Sequence, residues 1–243
     1  MVVAQASKTE ARNTGVGARI VQAAAELLDE TGNEAAVTLR GVARRAGVSA
    51  PAIYGHYPDV QAIFLVVVQD AFAELSAALH AAAVNGSPGE DSAGEDGNGE
   101  AGAGFHAQDG DREKSASARL RAVCAAYLDF AARRPQRYRL MFGGLWNATT
   151  AIESATVSQA DVEALGQDTL HVFATSLRTC VQAGASSSTD THADAVALWL
   201  GLHGLAHQRA ATAAFPWPTN IDQRLIDALA RLEPLPRPDL PVR

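Results

Sequence analysis

Three arginines lie close together in a short part of the chain that contains no acidic residue. Arg40, Arg44 and Arg45 all occur within Thr38–Tyr57, whose sequence is TLRGVARRAGVSAPAIYGHY. Guanidinium groups arranged on one surface can bind phosphate, and phosphate contacts supply most of the affinity of proteins for nucleic acids. The chemistry that these residues offer is therefore the binding of a polyanion such as double-stranded DNA.

The residues around these arginines predict two short helices joined by a tight turn. The apolar positions of the first helix lie on one face at helical spacing: Leu39, Val42, Ala43 and Ala46. Gly47 can end this helix in the left-handed conformation, Ser49 is a predicted N-cap, and Pro51 falls in the first turn of the second helix. This is the pattern of a helix-turn-helix, whose second helix can lie in the DNA major groove. An ordinary helical hairpin is the alternative interpretation.

Further helices are needed to position this unit. A helix ending at Gly32 carries an apolar stripe that includes Ile20 and Leu28, so residues 16–59 are predicted to form a three-helix domain. Asp59 is expected to cap a long connecting helix over residues 60–84. Residues 1–15 are polar and mixed, and we expect a disordered arm.

The overall composition predicts an all-α protein, because nearly half of the residues are apolar and Ala and Leu dominate. The net charge is −7, yet seven acids and no Lys or Arg lie between Asn85 and Asp111. The negative charge is therefore local and does not exclude DNA binding. Residues 85–117 are predicted to be a disordered acidic loop, because they hold too little apolar surface to fold.

Residues 118–233 are predicted to form a second helical domain, followed by an extended tail at 234–243. Its long helices are expected at Asp161–Ala183 and Ala193–Ala214. Cys124 and Cys180 fall within apolar helical patterns and are expected in the core. The sequence shows no signal-peptide pattern, and its longest apolar run, Ala62–Val68, is too short to cross a bilayer, so we expect a cytoplasmic protein without a membrane partner.

Aromatic and soft side chains of this second domain could line an apolar cavity for a small molecule. The candidates are Tyr127, Phe130, Tyr138, Met141, Phe142, Trp146, Phe173, Trp199 and His203. His203 and His207 stand four residues apart on one helix, a spacing that can bind zinc, but no third ligand or catalytic Glu accompanies them. We therefore expect no metal, cofactor or catalytic residue. A helical enzyme that uses these two histidines is an alternative hypothesis.

Two sets of motifs resemble a known family. TLRGVARRAGVSAPAIYGHYPD, with the flanking helices, resembles the DNA-reading domain of the tetracycline-repressor (TetR) family. FAARRPQRYRLMFG (Phe130–Gly143) and LWLGLHGLAHQ (Leu198–Gln208) resemble the Trp-His-Gly (WHG) type of C-terminal domain in that family. The resemblance implies a ligand-responsive transcriptional regulator, most often a repressor. It also implies a homodimer that pairs through the last two long helices, binds a near-palindromic operator and leaves it when a small hydrophobic or aromatic effector binds.

The resemblance also assigns roles to residues. The expected DNA-contact set is Thr38, Arg40, Arg44, Ser49, Ala50, Pro51, Ala52, Tyr54, His56 and Tyr57. Gly201 and Gly204 are expected to let the helix of a second subunit approach closely. Gly55 and Val60 depart from the family pattern, because those positions often carry a large or basic residue. An interaction protein with weakened DNA binding is therefore a further alternative.

Overall fold

The computed structural model describes residues 15–86, 103–143, 146, 148–153 and 157–232. Apart from a single bridge between Ser186 and Leu232, the regular secondary structure of these residues is helical, which confirms the predicted all-α class. In chain order the α-helices are α1 (Gly15–Thr31), α2 (Leu39–Ala46), α3 (Ala50–Tyr54), α4 (Val60–Asn85), α5 (Ala103–Arg133), α6 (Pro135–Phe142), α7 (Ala148–Glu153), α8 (Gln159–Glu163), α9 (Gln167–Gln182), α10 (Thr191–Ala211) and α11 (Ile221–Leu229). Residues 1–14 of the predicted arm at 1–15 and the tail at 234–243 lie outside the described residues, and Gly15 already begins α1.

The contacts between residues divide the chain into two compact units. The first unit comprises the residues up to Glu74 together with Arg134–Gln167, and the second comprises Leu75–Arg133 together with the residues from Asp168 onward. This division differs from the predicted domains, in which residues 118–233 stayed together. The reason is that α6 packs against α1 in the first unit.

The core of the first unit joins the three N-terminal helices to the first half of α4. Ile20, Val42 and Ile53 come from α1, α2 and α3, and none has any exposed surface. Ile63 and Val68 of α4 belong to the same buried cluster. Asp59 caps α4 as expected, because its Oδ1 accepts a hydrogen bond from the Ala62 amide at 2.9 Å.

The helix α4 is long and apolar enough to cross a bilayer by length and composition alone. However, 61% of its most apolar stretch is buried inside the protein. A helix that is apolar on most sides and covered by its own chain is a core helix of a globular protein. The apolar residues of α4 are therefore accounted for by packing.

The second unit has its own core. Tyr127, Phe173 and Leu198 from α5, α9 and α10 are fully buried there. Cys124 and Cys180 are buried free thiols, as predicted, and burial raises the pKa of Cys180 to about 11. The last helix, α11, packs so closely on α10 that a Cβ at Gly201 would lie 2.4 Å from Leu229 Cδ1.

The predicted disordered loop at 85–117 is wrong for its second half. α4 continues to Asn85, residues 87–102 lie outside the described residues, and α5 begins at Ala103. Ala116 and Ser117 are buried, and the Cys180 thiol donates a hydrogen bond to the Ala116 carbonyl at 3.4 Å. The average composition of 85–117 concealed this boundary, because Gly residues are frequent before 104 and helix-forming residues follow.

The long helix predicted at Asp161–Ala183 is interrupted. The structure has α8, then a break at Gly166, and then α9. Gly166 adopts φ +74°, and a Cβ there would lie 2.9 Å from the Phe72 ring. Only glycine takes this left-handed conformation readily, and only glycine leaves room for that ring. The apolar periodicity alone did not reveal the break.

We expect Ala116→Asp to destabilise the protein by more than about 2 kcal/mol, because the new carboxylate would be buried without a partner. Ala118→Asp is the matched control, since Ala118 is exposed two residues further along the same helix. Thermal unfolding followed by circular dichroism measures both. Equal melting temperatures for the two variants would contradict the packing of this part of α5.

Candidate functional site

Capping interactions fix the geometry of the turn between α2 and α3. Thr38 Oγ1 accepts a hydrogen bond from the Gly41 amide at 3.1 Å at the start of α2. Gly47 ends α2 with φ +66°, and the Val48 amide returns to the Ala43 carbonyl at 3.0 Å. This αL ending reverses the chain over a few residues. The sequence predicted the Gly47 ending correctly.

The second helix of the unit exposes the face that the sequence assigned to it. Ile53 is fully buried, whereas Pro51, Ala52 and Tyr54 are exposed, and Tyr54 keeps 61% of its surface. Ser49 occupies the predicted N-cap position, but its side chain makes no capping hydrogen bond. An exposed aromatic ring beside small residues is available to an outside partner.

The three arginines of this unit are not equivalent. Arg45 turns toward α1, where its guanidinium pairs with Glu30 at 2.8 Å and with Glu26 at 3.3 Å. The hydrogen bond from Arg45 lowers the pKa of the Glu30 carboxyl, so both groups stay charged and balance one another. Arg40 and Arg44 are exposed, and neither has an ion pair among the described residues. The basic face that the sequence predicted thus retains two arginines that form no ion pair with the residues the structure describes.

The remaining members of the expected DNA-contact set differ in exposure. Thr38 and Ser49 are exposed, and Ala50 and His56 are half-buried. Tyr57 differs from the expectation of a contact residue, because only 6% of it is exposed and it belongs to the core cluster. Its amide donates to the Ile53 carbonyl at 2.8 Å, which continues the helical turn and brings the ring onto the buried side.

A group of charged residues that the sequence reasoning missed ties α6 to α1 and α4. Arg134 and Arg137 both contact the Glu74 carboxylate, at 2.9 and 2.7 Å. Arg137 Nε also lies 3.5 Å from Asp29 of α1. The signal in the sequence is the run ARRPQRY, in which Arg134 directly precedes the start of α6 and Arg137 lies in its first turn. Their acidic partners lie far away in the sequence, so the network could not be derived from spacing.

The nine candidate ligand residues fall into two groups, one in each unit. In the first unit, Tyr138 and Phe142 have ring centroids 5.0 Å apart, and Phe142 meets Phe72 edge-to-face at 5.5 Å. Met141 is half-buried beside this group, and Trp146 is buried in the same core. Edge-to-face contacts of this kind stabilise the packing of the rings against one another.

The second group surrounds a buried tyrosine. Tyr127 meets Phe173 at 5.8 Å between ring centroids, and Trp199 Nε1 donates to the Tyr127 hydroxyl at 3.2 Å. Phe130 is also buried, on the same helix as Tyr127. This group combines apolar surface with one hydroxyl in the core of the second unit.

His203 is half-buried on α10. Burial, together with the neighbouring His207, lowers the pKa of His203, so the ring is neutral at pH 7. Among the described residues no group of three potential ligands could hold a metal ion.

This geometry defines a class of protein, a helix-turn-helix DNA-binding unit followed by a helical domain with aromatic clusters. The tetR family of bacterial regulatory proteins matches residues 20–67, and the tetracyclin repressor-like C-terminal domain matches residues 120–232. This chain belongs to the TetR family of DNA-binding transcription regulators.

Solved structures share the fold. A protein with unknown function from Rhodococcus sp. RHA1 aligns with a TM-score of 0.63 and 22% identity, over 89% of this chain and 93% of that one. A tetR-family regulatory protein from Rhodococcus RHA1 aligns with a TM-score of 0.56 and 20% identity, over 90% of this chain and 97% of that one. The TetR family regulator PfmR from Thermus thermophilus aligns with a TM-score of 0.55 and 20% identity, over 88% of this chain and 97% of that one. No curated protein matches the chain significantly in sequence.

The arginine geometry predicts different effects of two neighbouring substitutions. Arg44→Ala should reduce the slope of log K against log salt for DNA binding by about 1, because an exposed phosphate contact is lost. Arg45→Ala should leave that slope unchanged, because Arg45 is paired with Glu26 and Glu30. Fluorescence anisotropy over a salt series measures both slopes. Equal slopes for the two variants would show that the pairing does not remove Arg45 from the interface.

Proposed function

We propose that this protein is a ligand-responsive transcriptional repressor of the cytoplasm. It binds a near-palindromic operator as a homodimer and releases it when a small hydrophobic or aromatic effector binds. The observation that supports this most strongly is the exposure of Arg40 and Arg44 on α2 and of Pro51, Ala52 and Tyr54 on α3, in a segment whose sequence contains no acidic residue.

In this proposal α3 lies in the major groove. Ala52 is small and apolar, so it suits contact with a thymine methyl group, while the Tyr54 hydroxyl can bind a phosphate. Arg44 and Arg40 would contact phosphates beside the groove. Since few side chains of α3 can form hydrogen bonds to bases, we infer that operator choice depends strongly on DNA shape and on half-site spacing.

We infer that the dimer forms through α9 and α10. Leu200 of α10 is 61% exposed, and no atom lies within 4 Å of a Cβ built at Gly204, so this face is open for a second helix. Gly201 does not share that role, contrary to our expectation, because α11 of the same chain covers it. The exposed positions Leu200, Gly204 and His207 follow one another at helical spacing.

The effector is proposed to bind at the aromatic side chains of the C-terminal part. The Trp-His-Gly resemblance of Phe130–Gly143 and Leu198–Gln208 supports a site in which Tyr127 and Trp199 offer polar atoms among apolar rings. The network of Asp29, Glu74 and Arg137 supports a mechanism of release, because it joins α6 to the first helix of the DNA-binding unit. A shift of α6 would change that contact.

Selection from random DNA tests the proposal as a whole. We expect an enriched near-palindrome whose half-site centres are about 34–36 Å apart or a multiple of that distance. The reason is that a two-fold axis would relate the α3 helices of the two subunits in the proposed dimer. Sequencing of the selected pool measures the enrichment. A pool without any enriched motif would contradict DNA reading by this chain.

The proposed dimer predicts that Leu200→Glu yields a monomer with weakened operator binding, since a carboxylate would enter an apolar contact. Val84→Glu is the matched control, because Val84 is 75% exposed and lies on α4, which is not part of the proposed contact. Sedimentation velocity measures the oligomeric state. A Leu200→Glu protein that sediments as an undisturbed dimer would show that another surface pairs the subunits.

A further inference from the structure

Gly55 directly follows α3 and belongs to the exposed surface of that helix. Ala52 and Tyr54, which precede it, are exposed as well. Tyr54 carries the one large side chain among the exposed residues of 50–55, because Pro51 and Ala52 are compact. Apart from the Tyr54 ring, the surface at the end of α3 therefore has low relief.

The fold does not require a glycine at this position. Gly55 has φ −70° and ψ −18°, which lies in the right-handed helical region that ordinary L-residues adopt. A Cβ built there would lie 3.5 Å from the Ala52 carbonyl oxygen, which is an ordinary van der Waals contact. Gly47 differs, because its φ of +66° is the left-handed conformation that favours glycine at the end of a helix. Neither the backbone conformation nor the packing of the described residues thus explains Gly55.

A glycine in such a conformation lowers the stability of the folded chain. Glycine loses more conformational freedom on folding than any other residue, and its replacement by alanine at a compatible φ commonly stabilises a protein. Gly55 therefore has a cost within the chain and no visible benefit there. A bound partner is the remaining place where the missing side chain can matter.

The short side chain of Ala52 sets a condition on how such a partner is bound. In the proposed complex Ala52 contacts a thymine methyl group, and its single methyl reaches a base edge only when the α3 main chain lies close to that base. The major groove is about 12 Å wide, and a helix with its side chains is about 10–12 Å across. Little space thus remains between α3 and the DNA backbone, and a bulky side chain at the end of α3 would hold the helix away from the bases.

We propose that Gly55 lets the sugar-phosphate backbone of bound DNA approach the main chain at the end of α3 more closely than a side chain would allow. The proposal rests on the proposed function, because it takes α3 as the helix that enters the major groove. Glycine is the usual residue where the main chain comes close to a ligand. The departure of Gly55 from the family pattern then sets how deeply α3 lies in the groove. Gly55 is in this way a positioning residue for the base contact of Ala52.

The test is fluorescence anisotropy of the full chain with a labelled duplex that carries the motif enriched from random DNA. Gly55→Ala should raise the Kd at least about fivefold through steric overlap with the DNA, while the melting temperature stays equal or rises. Gly110→Ala on α5 is the matched control, since a Cβ there would meet no described atom within 4 Å and α5 takes no part in the proposed contact. The control should bind DNA as the wild-type protein does.

Gly55→Lys distinguishes close approach from a merely missing phosphate contact. If Gly55 only omitted such a contact, the added positive charge would tighten binding. Close approach instead predicts weaker binding than that of the wild-type protein. Tighter binding by Gly55→Lys, or a Kd of Gly55→Ala less than about fivefold above that of Gly110→Ala, would overturn the proposal and leave the proposed function standing. Absence of specific binding by the wild-type protein would overturn both.

Discussion

The position of the DNA-binding helix depends on one shared core. Val42 of α2 and Ile53 of α3 are fully buried, and they belong to the same apolar cluster as Ile63 and Val68 of α4. Because close-packed side chains do not slide independently, α2 and α3 cannot rotate without a movement of α4. The αL ending at Gly47 then sets the angle between α2 and α3. The orientation of the exposed face of α3 is thus set by the buried contacts beneath it.

Charges on the first unit are distributed in a way that serves this arrangement. The charge of Arg45 is balanced by Glu26 and Glu30 within the unit, while Arg40 and Arg44 remain available on the surface. Arg134 and Arg137 of the α6 segment converge on Glu74. Basic residues of similar appearance in the sequence therefore have different tasks, since some stabilise helix contacts and others can meet phosphate. A net charge of −7 is compatible with both roles because the field near a surface depends on local groups.

The sequence predicted those features that depend on neighbouring residues. The caps at Gly47 and Asp59 follow from local hydrogen bonding, and the all-α class follows from composition and periodicity. Features that depend on distant partners were missed. Arg45 can pair with its acidic partners only when α1 packs against α2. Tyr57 becomes buried only when the surrounding helices form the core. The helical part of α5 before residue 118 is stabilised by contact with α9, so its composition alone suggested disorder. The contact of Gly201 with α11 could not be predicted, because it depends on how α11 packs against α10.

Hydrogen exchange of the full chain, measured with and without a duplex that it selects, tests the central claim most directly. Amides in exposed helices exchange through local opening, which a bound partner suppresses. We expect the amides of residues 49–56 to exchange much more slowly in the complex, whereas those on the exposed face of α9 change little. Unchanged exchange at 49–56, together with protection of another surface, would contradict the claim that α3 is the element that reads DNA.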